Sequence, residues 1–171
     1  MEKTSTAVTI SESINWKDVY DQLLPRVFHF FFYKVGDKLT AEELTSITFE
    51  KVWVSRESYR KDLGGFRFWV FGIAQKVAAD HFRRRRHEVP LDAVDVPSGQ
   101  NVEMEVEAQA EHERLASILH ILSERERLLV SLKYGAELNN REIARQTGLS
   151  ESNVGTILFR AVKKLRKEWE Q

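Results

Sequence analysis

Arg141–Trp169, REIARQTGLSESNVGTILFRAVKKLRKEW, spells two helices and the corner between them. A short helix follows Asn139 and Asn140, carries Ile143 and Ala144, and ends at Gly148, where left-handed backbone suits a residue without a Cβ. Ser150 caps the next helix, whose buried stripe is predicted to be Val154, Ile157 or Leu158, Ala161, Leu165 and Trp169. Two helices meeting steeply need a small residue at the crossing, and Ala144 and Gly148 supply it, with Leu149 and Val154 closing the corner from inside. Ser152, Asn153, Thr156, Phe159, Arg160 and Lys163 are then left facing outward, as a helix entering a DNA major groove requires. Ser152 and the first amides suit phosphate, Arg160 suits a base edge or the backbone, and Lys163, Lys164, Arg166 and Lys167 add attraction independent of sequence.

The residues upstream follow the same helical period. Leu115, Ile118, Leu119 and Leu122 form one face, and Ser123-Glu-Arg-Glu126 reads as a capping box for a helix that stops near Gly135. In the first half Ile14–Tyr33 is apolar-rich, with Pro25 marking a break or a fresh helix start. Gly36 reads as a stop, and Thr40-Ala-Glu-Glu43 as a capping box opening a helix through Val52 and Trp53. Trp53 is expected to be buried. A polar loop, Ser55–Gly65, leads to a long helix with apolar positions Phe66, Trp69, Val70, Ile73 and Val77, running into Arg83-Arg84-Arg85-Arg86. The aromatics of this helix (Phe66, Phe68, Trp69, Phe71, Phe82) outnumber what one buried face needs, so some are free to stack on unpaired bases. Lys76 and the four arginines suit the phosphates of an opened strand.

Between these halves the charge is sorted. Residues 1–88 hold 15 Lys and Arg against 12 Asp and Glu, residues 89–113 hold none against 7, and residues 114–171 hold 11 against 7, although the whole chain of 171 residues is neutral. Two basic ends flank an acidic connector that has no affinity for DNA of its own. With Pro90, Pro97, Ser98 and Gly99 it reads as a flexible linker; Val102–Glu107 alternates like a strand but has no partner strand, and is read as linker merging into the next helix. The predicted architecture is all-α: a disordered tail over 1–13, a helical domain over 14–88, an acidic linker over 89–110, and a second helical domain over 111–171.

This pattern resembles the extracytoplasmic-function sigma factors, the two-domain specificity subunits of bacterial RNA polymerase. Leu122–Ala144 and Thr147–Leu165 are similar to sigma region four, Ala41–Trp53 to the region-two helix that docks on the polymerase clamp, and Phe66–Arg86 to the helix that opens the promoter and reads its −10 element. The resemblance implies a transcription initiation factor whose partners are core RNA polymerase, promoter DNA and an anti-sigma factor. It implies −35 contacts from Ser152, Asn153, Thr156, Phe159, Arg160 and Lys163, and −10 or melting contacts from Arg67, Phe68, Lys76, Arg83, Arg84, Arg85 and Arg86. Docking on polymerase falls to Glu43, Ile47, Glu50 and Lys51. It further implies that the loop at about Ser58–Gly65 captures a flipped base, and that the acidic linker threads the channel later taken by the transcript. Three positions depart from the family pattern: Ile47 stands where an acidic residue is common, Lys76 where asparagine is frequent, and Gly155 where a basic residue is frequent. The competing reading is a stand-alone helix-turn-helix regulator without polymerase docking.

Other classes find no support. The five histidines form no HExxH or metal-spaced cluster, the Gly64-Gly65 pair lacks a following Lys-Ser/Thr, and Asp80-His81 sit on adjacent helical positions that diverge. No catalytic residue, metal site, cofactor or small-molecule substrate is therefore expected. The chain has no cysteine, its first residues lack the apolar stretch of a secretory signal, and Val27–Tyr33 is too short to cross a bilayer, so no membrane insertion and a cytoplasmic location are expected.

Overall fold

The computed structural model describes residues 14–88 and 106–171; the tail over 1–13 and most of the acidic linker lie outside the described residues. The first half is α1 (Trp16–Val35), α2 (Lys38–Val54), two single 3-10 turns at Arg56–Ser58 and Lys61–Leu63, and α3 (Phe66–Glu88). The second half is α4 (Val106–Leu119), α5 (Glu124–Val130), a π turn at Ser131–Gly135, α6 (Asn140–Thr147) and α7 (Glu151–Trp169). The all-α, two-part architecture is as expected, with no strand among the described residues.

Four local expectations change between α1 and α4. Pro25 lies inside a continuous α1 rather than at a break. The Leu23, Val27, Phe30 and Phe31 side chains around it are buried on neighbouring elements, and that packing holds the helix through the lost hydrogen bond. α2 is opened by Asp37, not Thr40: the Asp37 carboxylate accepts from the Thr40 amide at 2.8 Å. Asp37 is extended, so it occupies the cap position one turn before the apolar stripe begins. α4 begins at Val106, inside the stretch read as linker. Trp53 is 55% exposed, because the helix turns Val52 to the core and Trp53 outward.

The second half keeps closer to its sequence signals. Both capping boxes form, Ser123 with Glu126 and Asn139 with Glu142, and Gly148 closes α6 at φ 73°. Ser150 caps α7 by accepting from the Asn153 amide, and Val154, Leu158 and Ala161 are buried below it, whereas Trp169, expected in the same stripe, is exposed at the end of the helix.

α1 is the centre of the molecule. Phe30, Phe31 and Phe32 are consecutive and all buried, although successive helical residues point about 100° apart. A helix buried over so wide an arc near its C-terminal end must be flanked on two sides there. One side is α2 and α3, where Phe30 meets Phe71 edge to face at 5.8 Å. The other side is the second half: Phe32 meets His112 of α4 at 5.3 Å, and the π turn lies across the α1 backbone at His29 and Phe30. Leu119, Leu122, Leu129, Val130 and Leu132 join Val27, Phe31 and Phe71 in one continuous apolar cluster. The two halves share a core.

Candidate nucleic-acid interface

All six outward residues expected on α7 are exposed: Ser152, Asn153, Thr156, Phe159, Arg160 and Lys163. They line one face because Val154, Leu158 and Ala161 anchor the opposite one. Phe159, 70% exposed, is a large ring that folding leaves bare. With Tyr134, Lys133, Lys163 and Arg166 it borders a shallow groove between α7 and the π turn. Lys164 is different. Its ammonium lies 2.7 Å from Glu126, the capping-box residue of α5, so this lysine braces the domain rather than extending the basic face.

Glu43, Ile47, Glu50 and Lys51 form a stripe along α2, with Ile47 partly buried and the other three exposed. Ile47, Glu50, Lys51 and Val54 make one wall of a groove, and Lys76, Asp80 and Arg84 of α3 make the other. The proposed docking stripe and part of the proposed strand-binding set thus face one another across α2 and α3.

The other residues expected to contact an opened strand are not gathered there. Arg67 and Phe68 face the second half: the Arg67 guanidinium donates to the Glu137 carbonyl at 2.6 Å, and the Arg145 guanidinium lies 4.7 Å from the centre of the Phe68 ring. Arg83 pairs with Asp80 at 2.9 Å, one turn back on its own helix. Arg86 reaches Glu124 of α5 at 3.3 Å. Helical rotation explains the split, since Arg67 and Lys76 are nine residues apart and point to opposite sides of α3.

The extra aromatics build a cluster at the start of α3. Tyr59 stacks on Phe66 at 3.9 Å, and Trp16 meets Phe66 at 5.3 Å and Trp53 at 6.5 Å, both edge to face. The Arg56 guanidinium covers Trp53 at 4.1 Å. Tyr59 donates to the Gly64 carbonyl at 3.2 Å, tying the loop to this cluster. Phe71 belongs to the core; Phe66, Phe68 and Trp69 are only partly buried.

Sequence reasoning missed Gln146 and Arg127. Gln146 donates to the Phe68 carbonyl at 2.6 Å and accepts from Gln75 at 2.8 Å; Arg127 donates to the Tyr33 carbonyl at 2.9 Å. Each looks like an ordinary helical polar residue until its partner across the chain is seen. His81 Nε2 and Arg67 Nε are buried without a hydrogen-bond partner among the described residues. Burial and the nearby Arg85 push the His81 imidazole below its ordinary value. No His, Asp or Glu cluster able to hold a metal occurs among the described residues, and no described helix is long and apolar enough to cross a membrane.

A three-helix unit with an aromatic, arginine-ended third helix is followed by a helix-turn-helix unit, the architecture of a DNA-binding class of protein. Residues 19–88 match the family model for sigma-70 region 2, and residues 118–167 match that for sigma-70 region 4. The chain is 28% identical over 153 residues to the ECF RNA polymerase sigma factor BldN of Streptomyces coelicolor, covering 87% of this chain and 58% of that protein. It is also 28% identical over 151 residues to the ECF RNA polymerase sigma factor SigM of Bacillus subtilis, covering 87% of this chain and 91% of SigM. Its fold is similar to that of the sigma factor RpoE from Bartonella quintana, solved in complex with the anti-sigma factor NepR. There the TM-score is 0.71 at 19% identity, over 91% of this chain and 96% of RpoE. CnrH, solved with the cytosolic domain of CnrY, gives a TM-score of 0.61 at 22% identity. The chain belongs to the extracytoplasmic-function sigma factors, transcription initiation factors associated with RNA polymerase.

Proposed function

We propose that this chain directs core RNA polymerase to promoters by reading a −35 element with α7 and a −10 element with α3, itself catalysing no reaction. The observation that carries this reading is the bare outward face of α7, with Ser152, Asn153, Thr156, Phe159, Arg160 and Lys163 all exposed over a firmly anchored stripe. Duplex recognition needs that arrangement, because polar side chains must reach base edges without unfolding their support. The groove between α2 and α3 supports the polymerase-dependent part: Glu50 and Lys51 present a docking face beside the Lys76 and Arg84 side chains suited to phosphate. Ile47 makes the centre of that face apolar, so docking there relies on burial with charges at its rim. The domain bounds of 14–88 and 111–171 fit these two tasks, and the location is the cytoplasm. An anti-sigma factor is a fitting further partner, since RpoE was solved in complex with the anti-sigma factor NepR.

Reconstitution tests the reading. The purified chain is mixed with bacterial core polymerase on a promoter library, and start sites and permanganate-reactive thymines are mapped. Defined starts with local melting are expected, and Glu50→Ala/Lys51→Ala should lower polymerase affinity. Specific duplex binding by the chain without any polymerase binding would return the stand-alone regulator in its place.

A further inference from the structure

We propose that Glu126 of α5 is a positioning residue for upstream promoter reading: acting through Lys164 rather than on DNA itself, it sets the roll of α7 and so the aim of Asn153 and Arg160. This rests on the reading of α7 as the −35 helix. Glu126 belongs to the capping box that opens α5, and its carboxylate accepts from the Ser123 amide at 2.9 Å. The same carboxylate takes the Lys164 ammonium on both oxygens, at 2.7 and 3.0 Å. One side chain thus ties the start of α5 to the body of α7.

Apolar packing alone leaves that roll loosely defined. α7 rests on its neighbours through Val154, Leu158 and Ala161, all aliphatic and buried, and such contact is non-directional. The other polar ties described for α7 sit at its ends. Arg141 reaches Glu151 at 3.7 Å in an exposed pair, and Arg114 donates to the Trp169 carbonyl while lying over its ring at 4.3 Å. Neither grips the stretch beside Arg160. Asn153, Arg160 and Lys164 are spaced by seven and four residues, so they lie within about 40° of one another on one flank. Fixing Lys164 therefore fixes the row. A roll of about 10° moves a side-chain tip, about 6 Å from the helix axis, by about 1 Å. That displacement exceeds the range over which a base-edge hydrogen bond holds.

Exposed ion pairs rarely hold anything, because two long side chains must be ordered for a small gain. This pair differs at one end. The Glu126 side chain is only 13% exposed and is already ordered by the Ser123 amide, so Lys164 alone is left to immobilise. The bonds between them are charge-assisted and directional. The cap itself needs no charge, since glutamine serves in a capping box as glutamate does. The negative charge is surplus to capping, and Lys164 is the group that it meets. Held there, Lys164 is withdrawn from phosphate, whereas its exposed neighbour Lys163 is not.

Two variants separate these roles. Glu126→Gln keeps the cap and removes the charge; Lys164→Met keeps the aliphatic stem and removes the ammonium. Each full chain, in complex with core polymerase, is measured by competition binding across salt concentrations. The probes are the upstream duplex recovered from the promoter library and a scrambled duplex of equal length. Both variants should lose about three- to tenfold in the ratio of specific to scrambled affinity, and the double variant no more than either alone. The salt slope on the scrambled duplex should stay unchanged, where loss of a phosphate contact would lower it by about one. A lower slope for Lys164→Met with an unchanged ratio overturns the proposal and puts Lys164 on phosphate. An unchanged ratio for Glu126→Gln at the unaltered chain's urea midpoint overturns it too. Should Glu126→Gln lower that midpoint, Lys164→Met, changed at an exposed position, carries the test alone. If the unaltered chain itself prefers no upstream sequence, the −35 reading of α7 fails, and this proposal with it.

Discussion

The Arg127 guanidinium donates through Nε to the Tyr33 carbonyl at 2.9 Å, bridging residues 94 positions apart. Tyr33 lies in the last turn of α1, where carbonyls have no helical partner, and a cation there answers both the missing hydrogen bond and the helix dipole. Arg127→Ala leaves that carbonyl without its donor at a largely covered site. It should cost about 1.5–3 kcal/mol in urea unfolding, with Arg127→Lys recovering only part because a point-like ammonium cannot reproduce the guanidinium geometry. A change below about 0.5 kcal/mol would show that Arg127 does not help hold the two halves together.

Trp53 invites the opposite result. It is more than half exposed, touching Trp16 by an edge and Arg56 through its face. Trp53→Ala should leave the fold intact at a loss of about 1–2 kcal/mol. Phe31→Ala, in the fully buried centre, should cost about 3–5 kcal/mol. Urea midpoints of the two variants, compared at matched slopes, check the contrast.

On α7 two neighbouring cations should behave differently. Arg160→Ala should reduce discrimination between upstream sequences by about 1–3 kcal/mol, the magnitude of one base-edge contact. Lys163→Ala should weaken every sequence alike and lower the salt slope by about one. Competition binding of the polymerase complex across salt concentrations separates them, and uniform weakening by Arg160→Ala would assign that residue to phosphate.

Acid should loosen the packing between the two halves. Burial pushes the His29 imidazole below its ordinary value, with His112 acting in the same sense and Glu137 opposing. The unfolded chain therefore takes up the proton at a higher pH than the folded one. Stability is full above the unfolded value of about 6.5 and is lost as pH falls through the lower folded value. His81 titrates in the same direction. The urea midpoint should drop between about pH 7.5 and pH 5.5, and His29→Gln should flatten its own share of that drop. A midpoint that rises on acidification would contradict the burial of both rings.

Much of this was legible in the residues. The corner at Gly148, both capping boxes and the outward face of α7 depend on neighbours within one or two turns, and such signals survive in a linear reading. What was hidden depended on distant partners. Trp53 and Val52 are adjacent apolar residues, and only the placement of α1 and α3 decides which is covered. The Phe30-Phe31-Phe32 run did hold a clue: apolar residues on every side of a helix mean that it is surrounded, which already points to a second packing partner for α1. Asp37 was overlooked as a cap because Thr40 and Glu43 offered a more familiar spacing.

The close seat of Gly135 on Phe30 also limits how this protein can be recombined. Sigma regions two and four can be regarded as interchangeable modules, one per promoter element. Here a Cβ at Gly135 would lie 2.7 Å from the Phe30 Cα, so a chimera that joins region two of this chain to region four of a relative keeps the shared core only if the incoming turn has no side chain at the Gly135 position and an arginine at that of Arg127. Without both, the hybrid exposes the apolar flank of α1, and its failure would report a lost internal surface rather than a wrong choice of promoter.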